Sequence, residues 1–269
     1  MRPVFRDLLI GQYYAVSSPV HRLDPRSKIL ISLLLITVLF VITDFYGYAA
    51  AAAAVAGAAL LGRVPLRLLL RGLRPVLFLL VLTVVLHALM SGREGHVLAA
   101  LGPLVVTDEG LLLGLRMGLR LALLILVSSL LTLTTSPIEL TDGLERLLGP
   151  ANRIGVPVHD LAMMMTIALR FIPTLMEEAD RIIKAQTARG ADFQQGGPLQ
   201  RVRSLVPVLV PLFVSAFRRA DDLALAMEAR GYRGGEGRTR FKQLRLGPRD
   251  AAAAVAALSA AAVIIWLGR

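Results

Sequence analysis

The chain has 269 residues, 55% of them hydrophobic and 18% charged, with a formal net charge of +11 and no cysteine. Soluble domains carry about 45–50% apolar and about 25% charged residues; this balance, with a mean hydropathy of +0.65, excludes an ordinary soluble globule and points to a membrane protein. Without cysteine there are no disulfides, thiolate metal sites or cysteine nucleophiles. The basic residues punctuate apolar runs, which argues against nucleic acid as a partner and for topology-setting loop arginines.

Residues 1–28 scatter Arg2, Arg6, Asp7, His21, Arg22, Asp24, Arg26 and Lys28 and hold no uninterrupted apolar core before a cleavage site. The expectation is no removable signal peptide and a cytoplasmic N-terminus. A membrane crossing takes about 20 mostly apolar residues, roughly 17–25. The first candidate, ILISLLLITVLFVIT, follows Lys28 and leads to Phe45, Tyr46 and Tyr48, rings expected at the membrane boundary. The second, YAAAAAAVAGAALLG, ends before Arg63; Ala53 and Gly57 share a face that lets a neighbouring helix approach closely. Residues 63–74 read as a basic loop with Arg63, Arg67, Arg71 and Arg74 and no acid.

The third span, PVLFLLVLTVVLHALMSG, carries His87, read as a hydrogen-bonded packing histidine near a helix end. A slightly acidic loop with Arg93, Glu94, Asp108 and Glu109 follows. The fourth span runs from about Leu111 to Leu133, with Arg116 and Arg120 one turn apart near its start. At mid-membrane each arginine costs about 2.5–3.5 kcal/mol, so each must snorkel or turn into the protein.

After Thr134 the character changes. SPIELTDGLERLLGPANRIG is amphipathic, with Ser136 as N-cap. Two long segments follow, each apolar first and mixed-charge later, with Pro173, Pro207 and Pro211 expected to kink or break them. A Gly-rich basic tail precedes the fifth span, AAAAVAALSAAAVIIWLG, with Trp266 near its far boundary. The fold class is thus all-α and polytopic, with about five transmembrane helices plus cytoplasmic amphipathic helices. Residues 1–134 form an N-terminal membrane domain of about four spans, 135–249 a cytoplasmic helical region, and 250–269 a C-terminal transmembrane helix. Basic segments inside give a cytoplasmic N-terminus and an external C-terminus; partial entry of 157–176 and 204–217 into the bilayer is left open.

Two stretches match: ADRIIKAQTARG from Ala179 and ADDLALAMEARG from Ala220. They share Ala179/Ala220, Asp180/Asp221, Ala185/Ala226 and the triplets Ala188-Arg189-Gly190 and Ala229-Arg230-Gly231. Each triplet reads as a helix end, with Gly in the left-handed cap and Arg against the negative end of the dipole. Ala185/Ala188 and Ala226/Ala229 form small-residue strips that admit another surface, and each arginine offers a charge-assisted anchor. Two similar plugs call for two similar sockets, which suits a dimeric or pseudo-dimeric cytoplasmic partner.

No catalytic constellation accompanies them. The lysines are Lys28, Lys184 and Lys242, and none follows a Gly-x-x-x-x-Gly, so there is no phosphate-binding loop. His-Glu-x-x-His, Gly-x-Ser-x-Gly and histidine clusters are absent. His21/Asp24 and His159/Asp160 read as structural pairs, and Met163–Met165 as adaptable packing.

SSPVHRLDPRSKIL, GVPVHDLAMMMTIALRFIPTLMEEADRIIKAQTARGADF and AMEARGY together resemble the transmembrane T component of energy-coupling factor transporters, the EcfT/CbiQ family. The resemblance covers almost the whole chain. It implies a non-enzymatic subunit of the prokaryotic cytoplasmic membrane that joins two ABC-type ATPases to a small membrane S component capturing a vitamin or a transition-metal ion. It implies no cofactor or metal on this chain, ATP being held by the ATPases. The amphipathic helices become coupling helices whose ends, at Ala188, Arg189, Gly190, Ala229, Arg230 and Gly231, dock on the ATPases. The alanine-rich second and fifth spans are a candidate surface for the S component, in contact with membrane lipid. The rivals are the permease subunit of a conventional ABC transporter, with one coupling element per chain, and a membrane-embedded enzyme.

Overall fold

The computed structural model describes residues 13–90, 97–101, 104–191, 193, 197–232, 234 and 246–269. The described chain falls into two compact units, one within Gly11–Gly143 and Gln243–Arg269, the other within Leu144–Lys242. The first holds α1 (Pro25–Val41), α2 (Phe45–Leu61), α3 (Leu66–Arg71), a 3-10 turn at Arg74–Val76, α4 (Leu77–Met90), β1 (Val97–Leu101), β2 (Leu104–Thr107), α5 (Asp108–Thr134), most of α6 (Pro137–Leu147) and α9 (Pro248–Leu267). The second holds the end of α6, a 3-10 stretch at Gly149–Ile154, α7 (Val158–Ala188) and α8 (Pro198–Ala229).

The chain is all-α and polytopic as read from the sequence, apart from the antiparallel hairpin β1–β2, which pairs Val97 with Thr107 and Leu101 with Leu104. Among the described residues, Leu66–Leu89, Asp108–Thr134, Val158–Ala188 and Pro248–Leu267 are long and apolar enough to cross a membrane, and α2 is a shorter apolar helix. Three expectations change. The basic 63–74 segment is partly helical as α3, because Leu66, Leu68, Leu69 and Leu70 sit between its arginines. Pro173, Pro207 and Pro211 lie inside α7 and α8 without breaking either. Of the aromatic cluster, Tyr46 is 76% exposed but Tyr48 is fully buried, since residues two apart on a helix face different ways.

Helix starts follow the local chemistry. Asp24 accepts from Arg26 N at 3.0 Å and a proline opens α1. Thr107 Oγ1 accepts from Gly110 N at 3.2 Å, with Asp108 and Glu109 in the first turn of α5. Ser136 Oγ accepts from Glu139 N at 3.3 Å to start α6.

Contacts at the helix termini set the directions of the five long helices in the first unit. Asp24 N donates to Asp250 Oδ1 at 2.7 Å, and Thr43 N donates to Gly268 O at 3.0 Å, so α1 and α9 run parallel. A Cβ added at Gly47 would lie 2.7 Å from Gly268 Cα, so α2 runs against α9. Lys28 Nζ donates to Thr134 O at 2.8 Å and Arg120 Nη2 to Ile42 O at 2.9 Å, so α5 runs against α1. Gly110 faces Ala88 O, so α4 runs against α5. The starts of α1 and α9 and the ends of α2 and α5 therefore share one end of the unit, together with Arg22, Arg26, Arg63 and Arg249. Asp108 and Glu109 sit at the other.

α5 meets α4 through a glycine stripe. A Cβ at Gly110, Gly114 or Gly118 would lie 3.0 Å from Ala88 O, 2.6 Å from Val84 O or 2.7 Å from Val84 Cγ2. Spacing of four puts all three on one face, the small-residue device by which membrane helices approach closely. The core beside it is Val38, Leu39, Tyr48, Val55, Leu123, Val127 and Ile264.

One buried and one partly buried cation are used as caps. Lys28 in the first turn of α1 also donates to His21 O at 3.1 Å. Arg120 turns inward, with Nε donating to the Tyr48 hydroxyl at 3.0 Å while that hydroxyl donates to Ile42 O at 3.2 Å. Its guanidinium stands 6.0 Å from the Phe40 ring centre and 5.9 Å from that of Tyr48, and Arg116 stands 5.4 Å from that of Phe45. Burial pushes the Lys28 ammonium below its ordinary 10.5, against the opposing pull of Glu139, Asp24 and Asp250.

Two predictions follow from these contacts. Gly114→Ala forces backbone apart and lowers stability by about 1–3 kcal/mol, whereas Gly57→Ala, with nothing within 4 Å of the new carbon, gains up to about 1 kcal/mol of helix propensity. Thermal unfolding in detergent reads both signs. For Lys28, the unfolded chain keeps its proton up to about 10.5 while the folded chain releases it sooner. In that window the unfolded state binds more protons, so the Lys28 contribution to stability rises with pH. Lys28→Met loses about 1–3 kcal/mol by orphaning two carbonyls, and the wild type gains on it as pH climbs toward 10.5; a gap independent of pH contradicts the assignment.

Candidate functional site: two matched helix ends

The matched stretches form the last turns of α7 and α8, and both end in the same hydrogen-bond pattern. In α7, Gly190 N donates to Thr187 O at 3.0 Å and Ala191 N to Gln186 O at 3.0 Å. In α8, Gly231 N donates to Glu228 O at 2.8 Å and Tyr232 N to Met227 O at 3.0 Å. Each is a Schellman cap, in which the two residues past the helix satisfy carbonyls of its last turn. The glycines are at φ +86° and +70°, a left-handed conformation that costs any other residue about 1–2 kcal/mol. A Cβ at either would meet nothing within 4 Å, so backbone conformation, not crowding, requires glycine there.

Arg189 and Arg230 take matched backbone conformations, φ −86°, ψ 7° and φ −88°, ψ 5°. Both are exposed, as are Ala188, Gly190, Ala229 and Gly231, and neither arginine forms an ion pair with a described residue. Ala185 and Ala226 are exposed too, so each arginine stands at the end of an open strip of small side chains. What the structure brings together here is, twice over, a cationic tip on a rigid helix terminus beside a shallow surface. An exposed guanidinium has the chemistry to pair with a carboxylate or a carbonyl.

The remaining polar residues serve the fold. His21 bridges Ser18 Oγ at 2.7 Å and Tyr14 O at 2.9 Å. His87 Nδ1 lies 2.9 Å from Thr83 O, one turn back on α4. His159 pairs not with Asp160 but with Glu145, at 2.8 Å between Nδ1 and Oε1. Among the described residues no group of three or more His, Asp or Glu is arranged to hold a metal ion. Sequence reading missed one contact near the site: Arg219 Nη2 donates to Glu178 Oε2, joining α8 to α7. The available signal was the opposite charge at the equivalent positions immediately before the two stretches.

Comparison with known proteins gives one answer. The family model CbiQ, described as cobalt transport protein, matches residues 16–241. A protein of Thermosediminibacter oceani is 59% identical over 93% of this chain and 94% of its own length. One from Clostridium kluyveri is 52% identical over 99% and 100%, and one from Bacillus subtilis 47% identical over 97% and 98%. All three bear the name energy-coupling factor transporter transmembrane protein EcfT. With its membrane-spanning helices and a match along nearly its whole length, the chain belongs to the CbiQ family, among the transmembrane proteins of energy-coupling factor transporters.

Proposed function

We propose that this chain is the energy-coupling subunit of an importer in a prokaryotic cytoplasmic membrane, with Arg189 and Arg230 docking on two cytoplasmic ABC-type ATPases. The observation that carries the reading is the duplication of one exposed, Schellman-capped Ala-Arg-Gly terminus within a single chain. A pair of identical anchors suits a pair of related sockets, and one such chain serves one ATPase pair. A conventional permease subunit would supply a single coupling element.

The charge distribution supports a cytoplasmic N-terminus. Arg22, Arg26, Arg63 and Arg249 share the end of the first unit where α1 and α9 begin, opposite Asp108 and Glu109. Positive residues favour the cytoplasmic face. In this reading residues 135–249 form the cytoplasmic coupling region, and ATP-driven approach of the ATPases displaces the arginine tips. The membrane helices pass that displacement to a small S component carrying a vitamin or a transition-metal ion. The chain itself binds no nucleotide. Half-exposed Ala54 and Gly57 of α2 offer close approach to a helix of the S component, although Ala51, Ala59 and Ala261 are used inside the fold.

Charge reversal tests the docking. Arg189→Glu and Arg230→Glu each cost about 2–5 kcal/mol of docking free energy, as expected for losing one member of a desolvated charge pair. The double variant loses more, read as ATPases retained on affinity purification from membranes and as substrate uptake. Full transport by the double variant refutes the reading. Gly190→Ala and Gly231→Ala strain the caps by about 1–2 kcal/mol each and weaken docking without changing charge, read by hydrogen exchange at Ala191 and Tyr232 together with ATPase retention.

A further inference from the structure

The Glu178–Arg219 ion pair joins residues forty-one apart. That is the offset of the repeat itself, which superposes Ala179 on Ala220 and Arg189 on Arg230. The two helices therefore touch through the same position of each copy. When two related elements contact each other through one equivalent position, that contact lies on the two-fold relation exchanging them. Identical residues there would bring like charges together. The chain instead carries Glu177-Glu178 in α7 where α8 has Arg218-Arg219, and Arg181 where α8 has Asp222. Charge is inverted at the self-contact and around it, while the Ala-Asp pair and the Ala-Arg-Gly ends are kept.

The surroundings leave this pair much of the task of fixing the contact. Beside it lies an apolar cavity of about 250 Å³, lined by Phe171 and Leu175 of α7 and Leu223 and Met227 of α8 among others. Few described residues of either helix are buried: Val158 and Ala162 at the start of α7, and Val208 in α8. Ser215 Oγ steadies the guanidinium, accepting from Arg219 Nε at 3.5 Å. Arg189 lies eleven residues beyond Glu178, and Arg230 eleven beyond Arg219. At 1.5 Å per residue each tip stands about 16 Å of helix from the pair.

We propose that Glu178 and Arg219 form the fulcrum of the two arms: a positioning pair at the repeat's pseudo-two-fold point that sets the separation of the Arg189 and Arg230 tips. Its part in transport rests on the docking reading above; its effect on tip separation does not. Because the chain has no cysteine, Lys184→Cys and Leu225→Cys, equivalent exposed positions near the two tips, take one spin label each. Inter-label distances are measured by pulsed electron paramagnetic resonance on the full chain in lipid nanodiscs. Glu178→Gln broadens the distance distribution relative to the parent, Glu178→Arg shifts it further by setting two arginines together, and the exchanged pair Glu178→Arg with Arg219→Glu returns it. In the complex, ATP hydrolysed per substrate imported rises in Glu178→Gln and returns in the exchanged pair, a rescue that a general loss of folding does not give. Distances unchanged in both single variants, or an exchanged pair as perturbed as the singles, overturn the proposal. The docking reading is scored separately: ATPases still bound to the Arg189→Glu, Arg230→Glu double variant remove it and leave the fulcrum to stand or fall on the distances.

Discussion

Two helices, α1 and α5, close each other's open ends. The last carbonyls of a helix lack partners within it, and in hydrocarbon no water supplies them. Lys28, in the first turn of α1, reaches Thr134 O at the end of α5. Arg120 of α5 reaches Ile42 O just past the end of α1, where the Tyr48 hydroxyl also donates. This reciprocal capping sets the antiparallel register of the pair. The rest of the first unit is built against it, with Asp250 bringing α9 to the start of α1 and the glycine stripe bringing α4 onto α5. Lys28 is buried and Arg120 partly so, and each satisfies a backbone carbonyl that its partner helix leaves open.

The second unit follows a different economy. α7 and α8 bury few described side chains, expose long apolar faces such as Val210, Phe213 and Phe217, and finish in charged, capped termini. Such elements depend on surroundings for their position, whereas the α1–α5 pair fixes its own. The two units thus differ in kind: one is held by reciprocal caps and a glycine stripe, the other leaves most of its helix surface open. The duplicated caps end each helix at a defined residue, with a left-handed glycine after an exposed arginine.

Much of the fold was legible in the sequence because bilayer thickness converts apolar length into helices. The second span corresponds to α2, the fourth to α5 and the fifth to α9, within a few residues. The N-cap at Ser136 and the helix ends at Arg189 and Arg230 follow from side-chain and glycine chemistry acting within one turn. The hairpin β1–β2 was missed because each strand is only four or five residues long. The Gly102-Pro103 dipeptide between two apolar runs was its one signal. The helicity of α3 was missed because four arginines drew attention from the leucines between them.

Local pattern by itself determined the helical class, the basic and acidic ends, and the matched Ala-Arg-Gly termini, since all of these depend on periodicity, charge order or a single turn of backbone. The spans were less legible, because α1 is not among the helices long and apolar enough to cross a membrane and α7 is. Tertiary structure alone decided what Lys28 and Arg120 cap, that Tyr48 lies inside while Tyr46 faces out, that Gly110, Gly114 and Gly118 carry the α4 contact, and that Glu178 meets Arg219. These partners lie forty or more residues apart in several cases, 106 for Lys28 and Thr134, and no local propensity specifies which distant backbone a long cationic side chain will reach. That choice belongs to the way the helices pack.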